Sequence, residues 1–67
     1  MQSDALREQI RKAIVAGAGS HRIAFRIVEW CKANCPQVAR LAATSQTMAV
    51  LKLSQPQAEA LVSEFLV

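Results

Sequence analysis

Two cysteines, at positions 31 and 35, carry the most reactive side chains of this sequence. If they lie on a helix, their i,i+4 spacing places both thiols on one face, where a disulfide between them would strain the backbone. With a single histidine elsewhere in the sequence, they provide too few ligands for a zinc site. We therefore expect reduced thiols that pack as small apolar groups, as is usual in a cytoplasmic protein.

The other polar residues do not form a catalytic pattern. A nucleophile needs an adjacent base, and His21, the one histidine, falls in the first turn of a predicted helix, where we expect an exposed imidazole. No two carboxylates are spaced for acid–base catalysis. The glycines of AGAGS follow a helix rather than a strand, so they predict a turn and not a phosphate-binding loop. The sequence therefore predicts a protein that is not an enzyme and uses no cofactor or metal.

Gln37 and Arg40 are the polar side chains best placed to recognise another molecule, because they fall three apart on the outer face of a predicted helix.

The charge is unevenly distributed along the sequence. Residues 1–53 contain all eight Lys and Arg against three acids, a net charge of +5, whereas residues 54–67 contain two acids and no base. This balance favours an anionic partner such as nucleic acid, although basic side chains are equally expected on solvated helix faces.

Length and composition predict one domain, residues 1–67, that associates with a second copy. A core of this size contributes no more than about 3–5 kcal/mol. The hydrophobic content of 52% and the mean hydropathy of +0.18 exceed what one small core hides, so we expect a homodimer.

No stretch approaches the roughly 18 apolar residues of a membrane span. The polar start MQSDALREQ lacks the apolar segment of a signal peptide. We therefore expect a cytoplasmic protein.

Apolar spacing defines the first two of four predicted helices. Ser3 is the candidate N-cap of the first helix, and Gly17 and Gly19 end it. Ser20 is the candidate N-cap of the second, which runs to Asn34 and is apolar on most sides. The residues expected on the buried faces are Leu6, Ile10, Ala13 and Ile14 in the first helix, and Ile23, Ala24, Ile27, Val28 and Cys31 in the second.

The third helix is predicted to begin near Pro36, since proline is favoured in a first turn. Its inward residues are expected to be Val38, Leu41 and Ala42. Thr44 and Ser45 compete for backbone hydrogen bonds and weaken the helix, and Ser45 is a candidate cap for a short continuation. Residues 47–53 also have the composition of a strand, but we favour helix plus turn.

The last helix begins at a predicted capping box, in which Ser54 and Gln57 satisfy each other's backbone amides. Its apolar face is expected to contain Ala58, Leu61, Val62 and Phe65. The predicted fold is therefore all-α, a small bundle of four short helices.

Segments of this chain resemble the small helix-turn-helix regulators of the Cro and phage-repressor type. SHRIAFRI, residues 20–27, resembles the first helix of that motif, with Ala24 at its small position. PQVARLAA, residues 36–43, resembles the start of a recognition helix. LREQIRKAI, residues 6–14, and LKLSQPQAEALVSEF, residues 51–65, resemble the leading and closing helices. The connection from Ala24 to Pro36 is longer than the family's short turn and lacks its glycine.

A second alignment places the whole motif within residues 38–50. Ala39 and Ala43 then occupy the small positions, and the groove-facing residues are Ser45, Gln46 and Thr47. The two alignments are incompatible, and the sequence leaves both open.

The resemblance implies a DNA-binding transcriptional regulator whose homodimer places a helix of each subunit in successive major grooves. Glutamine pairs with adenine edges and arginine with guanine, whereas other basic residues contact phosphates. The residues expected to contact double-stranded DNA are Arg22, Arg26, Lys32, Gln37, Arg40, Gln46 and Lys52.

The alternative is a helical protein-binding module, of the phage- or plasmid-type inhibitor or adaptor class, that acts through an apolar interface. Large apolar side chains dominate such interfaces, although each of them is also a candidate for the core. The expected interface residues are Phe25, Trp30, Met48 and Phe65. Arg40 discriminates the two hypotheses. A base-reading arginine should be exposed among other basic side chains, whereas a protein-binding module should show a contiguous exposed apolar patch.

Overall fold

The computed structural model describes residues 2–66, and the side chains of residues 4–66, as a bundle of four helices with no strand in that range. The helices are α1 (Gln2–Val15), α2 (Ser20–Asn34), α3 (Ala39–Leu51) and α4 (Gln55–Ser63), with a 3-10 turn at Pro36–Val38. The predicted all-α fold is confirmed. The strand alternative for residues 47–53 is wrong, because α3 continues to Leu51.

Helix α2 lies at the centre of the fold and contacts α1, α3 and α4. Its residues Ala24, Ile27 and Val28 are completely buried. The predicted buried face is confirmed at Ile23, Ala24, Ile27, Val28 and Cys31. Full burial of an aliphatic side chain contributes about 1.5–3 kcal/mol, so this face is the largest apolar contribution to the bundle.

The predicted ends of the first two helices need two corrections. Helix α1 begins at Gln2, so Ser3 lies inside the first turn rather than capping it. Gly19, with an extended backbone, is the N-cap of α2, and no side chain caps that helix; Ser20 is its first residue. Gly17, at φ +81°, ends α1 as predicted, because that left-handed conformation is accessible to glycine without steric cost.

Among the described residues, helix α1 contacts only α2, and this limits the width of its buried stripe. Leu6, Ile10 and Ala13 are buried as predicted. The expectation for Ile14 is wrong, since its side chain is 55% exposed. A helix with one neighbour buries a single narrow face, and Ile14 lies beyond its edge.

The predicted register of α3 is wrong. Val38 is 52% exposed and Leu41 is 73% exposed, and Ala42 is only half-buried. The residues that face the core are instead Ala39, Ala43, Thr44 and Thr47. The physical reason is the 3-10 turn, because it moves the start of α3 from Pro36 to Ala39 and changes which side of the helix faces the core. Small side chains therefore lie against α2 and α4.

Helix α3 is also uninterrupted where a break was expected. Thr44 and Ser45 lie inside it, and Ser45 is exposed and caps nothing.

In α4 the predicted register is confirmed, with Ala58, Leu61 and Val62 buried and Phe65 half-buried against the core.

Thr47 provides a test of the core. Its side chain is completely buried, and its hydroxyl has no hydrogen-bond partner among the described residues. Valine has nearly the same shape without the hydroxyl, and an unsatisfied buried polar group costs about 1–3 kcal/mol. We expect Thr47→Val to raise the free energy of unfolding by about 1 kcal/mol in urea denaturation, and Thr47→Ala, the size control, to lower it. A loss of stability in Thr47→Val would show that the hydroxyl has a partner.

Candidate nucleic-acid interface

Helices α3 and α4 are joined by a turn of only three residues: Lys52, Leu53 and Ser54. Lys52 has a left-handed backbone, with φ 58° and ψ 42°, and is the only residue besides glycine with positive φ in the described range. A left-handed residue at this position ends a helix and redirects the chain, a role usually filled by glycine. We call residues 39–63 the α3–α4 unit.

The capping box predicted at the start of α4 is confirmed. The backbone N–H of Gln57 donates to Ser54 Oγ at 3.4 Å, and the backbone N–H of Ser54 donates to Gln57 Oε1 at 3.1 Å. This reciprocal pair fixes the first turn of α4 relative to Lys52. Because Gln57 Oε1 accepts the backbone N–H of Ser54, the side chain of Gln57 is held against its own helix.

The outer face of α4 presents two polar side chains one turn apart. Gln55 and Glu59 are both exposed, and Gln55 Nε2 donates to Glu59 Oε2 at 3.2 Å. The amide of Gln55 retains its oxygen as an acceptor, and the carboxylate of Glu59 retains further lone pairs. This pair is therefore equipped to exchange hydrogen bonds with the polar edge of a ligand.

Contacts with α2 fix the other end of α4. His21 Nε2 lies 3.1 Å from Glu64 Oε1. The ring of Phe65 packs edge-to-face against Phe25 and His21, with centroid separations of 5.5 and 6.2 Å. Because these contacts join the first turns of α2 to the end of α4, they orient the outer face of α4 relative to the basic side chains of α2.

The predicted DNA-contacting residues of α2 are all exposed. Arg22 and Arg26 lie next to His21 and Phe25 in sequence, so they flank the α2–α4 contact; neither has an acidic partner among the described residues. Lys32 Nζ instead lies 3.3 Å from a carboxylate oxygen of Glu29. Two of these three charges are therefore free for an anionic ligand.

The other predicted DNA-contacting residues are dispersed. Gln37 is exposed in the 3-10 turn, and Gln46 is half-buried within α3. Arg40 is exposed, and its Nη1 donates to Ser63 Oγ at 2.8 Å, which links the start of α3 to the end of α4. Lys52 occupies the turn of the α3–α4 unit and is also exposed.

The helix boundaries bear differently on the two sequence alignments. Helix α2, a four-residue connection at residues 35–38 and helix α3 follow one another across the region that the first alignment assigns to its two motif helices, although α2 continues well beyond residues 20–27. Residues 39–50 lie inside α3, so the second alignment has a continuous helix where it needs a turn. Helices α3 and α4 are joined by a further short turn, and α4 lies within the segment 51–65 that the first alignment assigns to the closing helix. The capping box at Ser54 is the sequence signal for the start of α4.

Three of the four expected protein-interface residues are half-buried and one is exposed. Trp30 and Phe65 are half-buried on the core, and Met48 is half-buried in α3. Phe25 alone of the four is exposed, at 46%.

A groove of about 530 Å³ lies between the 3-10 turn, the start of α3 and the outer face of α4. Its apolar wall contains Val38 and Leu41, which sequence reasoning had assigned to the core. Arg40 and Glu59 also line it, as does Thr44, a buried residue whose hydroxyl has no partner among the described residues. The lining therefore combines an apolar wall with a few polar groups, as in many binding clefts.

Comparison with family models, curated proteins and solved structures finds no match to this chain. Among the described residues, none of the helices has both the length and the apolar character needed to cross a membrane. The same part of the chain places no three histidine, cysteine or acidic side chains together as a set of metal ligands.

The capping box generates a direct test of the α3–α4 unit. Ser54→Ala removes the side-chain acceptor for the backbone N–H of Gln57, and loss of such a cap costs about 0.5–2 kcal/mol. We expect Ser54→Ala to lower the free energy of unfolding by about 1 kcal/mol in urea denaturation. Ser45→Ala is the matched control, because Ser45 is exposed inside α3 and caps nothing; it should leave stability within about 0.5 kcal/mol. Equal effects would mean that the box does not stabilise α4.

Proposed function

We propose that this protein is a small transcriptional regulator that binds double-stranded DNA through the α3–α4 unit, with α4 in the major groove. The three helix connections are three or four residues long; the observation that carries the proposal is that the turn at Lys52 leads into a helix with a side-chain capping box, whereas α2 and α3 begin without a side-chain cap. A helix-turn-helix motif joins two helices by a turn of this length. Its second helix reads bases with residues near its N-terminus, while its first helix crosses the DNA backbone.

Gln55 is the base-reading residue in this proposal. It is exposed in the first turn of α4, and a glutamine amide pairs with the N6 and N7 edge of adenine. Glu59 lies one turn later on the same face, where its carboxylate accepts from the amino group of cytosine. Gln57 acts as a positioning residue, because its amide is engaged in the capping box.

Phosphate contacts supply affinity without sequence choice, and they need unpaired basic groups beside the reading helix. Lys52 begins the three-residue turn before α4, and Arg22 and Arg26 flank the far end of α4. Arg40 is assigned a phosphate contact, because its hydrogen bond to Ser63 holds it beside α4. No other base lines its groove, so Arg40 lacks the basic neighbours expected of a base-reading arginine. Lys32, Gln37 and Gln46 are assigned no base contact.

One α4 reads one half-site, so the proposal includes a homodimer that binds two half-sites about one helical turn apart. The apolar excess of the sequence is the argument for a second copy. The proposed compartment is the cytoplasm, whose reducing conditions favour the thiol form that Cys31 and Cys35 have in this structure.

The test is fluorescence-anisotropy binding to a random duplex, titrated with salt, and then to a duplex selected from a randomised pool. We expect affinity to fall steeply with salt, and Lys52→Gln to reduce the salt slope by about 1 on both duplexes. Gln55→Ala should lose about 1–3 kcal/mol on the selected duplex and little on the random one. Gln9→Ala, an exposed glutamine on α1, is the matched control and should bind like wild type. Absence of binding at low salt would overturn the proposal.

The groove at Leu41 supports a second function, recognition of an amphipathic segment of another protein. The supporting observation is the exposure of Val38 and Leu41, at 52% and 73%, in the wall of a concave surface. Exposed apolar residues that are contiguous and rimmed by polar groups mark protein-binding sites. Arg40 and Glu59 would set the orientation of such a segment through its charged residues.

Selection of displayed peptides against the full chain tests this second function. Enriched peptides should bind with at least about tenfold lower affinity to Leu41→Glu, because a carboxylate in the groove wall stays hydrated and opposes apolar contact. Val15→Glu is the control, since Val15 is 77% exposed and lies outside the groove. Peptides that bind both variants equally, or no enrichment at all, would contradict the groove as a binding site.

A further inference from the structure

Cys31 and Cys35 are arranged differently from the expectation of two thiols on one helix face. Cys31 is the last buried residue of α2 and is 1% exposed. Cys35 lies just outside α2 as its C-cap, with φ −144° and ψ 62°, and is half-buried. The non-helical backbone of Cys35 frees its side chain from the direction that a helix would impose, which removes the reason for expecting strain in a disulfide.

The backbone keeps the two cysteines close. The N–H of Cys35 donates to the carbonyl oxygen of Cys31 at 2.8 Å, which preserves one helical turn between them. A turn of four residues spans about 6 Å, within the roughly 4.4–6.8 Å separation of Cα atoms that a disulfide accepts. The thiols also influence each other: burial, followed by the neighbouring Cys35 thiol, raises the pKa of Cys31 to about 11.

Access to the two thiols is unequal. Cys35 lines a surface depression of about 330 Å³, together with Asn34 and the residues of the Pro36–Val38 turn. Cys31 is enclosed by the core and does not line this depression. A reagent of the size of a small disulfide can therefore reach Cys35 first, with Cys31 behind it.

We infer that Cys31 and Cys35 form a thiol-modification site, at which a low-molecular-weight disulfide such as oxidised glutathione produces an intramolecular disulfide. This inference is independent of the proposed DNA binding, because it uses neither Gln55 nor the turn at Lys52.

The exchange proceeds in two balanced steps. The thiolate of Cys35 attacks one sulfur of oxidised glutathione, forming a mixed disulfide and releasing one glutathione thiolate. Cys31 then loses its proton to solvent and attacks the Cys35 sulfur, forming the Cys31–Cys35 bond and releasing the second glutathione. The two cysteines lose two electrons, oxidised glutathione gains them, and the two protons lost by the cysteines balance those taken up by the released thiolates.

The test is equilibration of the full chain with glutathione buffers of increasing oxidised fraction, followed by acid quench, alkylation and mass spectrometry. We expect wild type to accumulate a species that has lost two hydrogens and resists alkylation. Cys31→Ala should instead retain one glutathione on Cys35. Cys35→Ala should stay reduced, because its remaining thiol is buried. Wild type that stops at the mixed disulfide, or stays reduced at the most oxidising ratio, would overturn the inference.

Alkylation of the reduced wild type gives a second readout that does not depend on the folding of a variant. Peptide mapping should show Cys35 modified at least about tenfold faster than Cys31, because the raised pKa of Cys31 lowers its thiolate fraction and Cys35 is the more accessible of the two. In denaturant the two rates should become equal. Equal rates in the native protein, or faster modification of Cys31, would contradict the proposed order of attack.

Discussion

The burial of α2 among the other three helices is the constraint on which the rest of this structure depends. Ala24, Ile27 and Val28 lose all their exposure in that position, and α1, α3 and α4 all contact the same helix. Because α2 alone contacts all three of the other helices, the positions of the outer helices follow from how each one fits α2. In the described part of the chain, helix α1 contacts only α2. It stabilises the bundle, but it does not contact α4 and does not line the groove beside Leu41.

Small side chains and one backbone conformation then determine how α4 is presented. Ala43 and Thr47 let α3 lie close to its neighbours, and the left-handed Lys52 redirects the chain within three residues. The capping box at Ser54 and the packing of Phe65 fix the two ends of α4. The same geometry leaves the groove beside Leu41 open, so the proposed reading helix and the alternative binding groove share the outer face of α4.

Periodicity predicted most of this fold from the sequence, because helices with a strong apolar stripe have one register that buries it. The structure confirms three predictions that depend on local sequence alone: the apolar stripe of α2, the capping box at Ser54 and the end of α1 at Gly17. The register of α3 was missed because its core residues are small, whereas the larger Val38 and Leu41 suggested the wrong face. The buried face of α3 is determined by its packing against α2 and α4 and by the 3-10 turn that precedes it. Neither can be predicted from the composition of the segment. Gln55 and Glu59 were missed although the register of α4 was predicted, because the recognition helix was expected earlier in the chain, within residues 36–50.

Amide chemical-shift mapping of the labelled protein during titration with a DNA duplex is the first test of DNA recognition by α4, because it reports the binding surface before any operator is known. We expect the largest shifts on residues 52–59, with smaller ones near Arg22 and Arg26, and we expect them to diminish as salt is raised. Shifts centred on the groove wall at Val38 and Leu41, or no shifts at low salt, would contradict DNA recognition by α4.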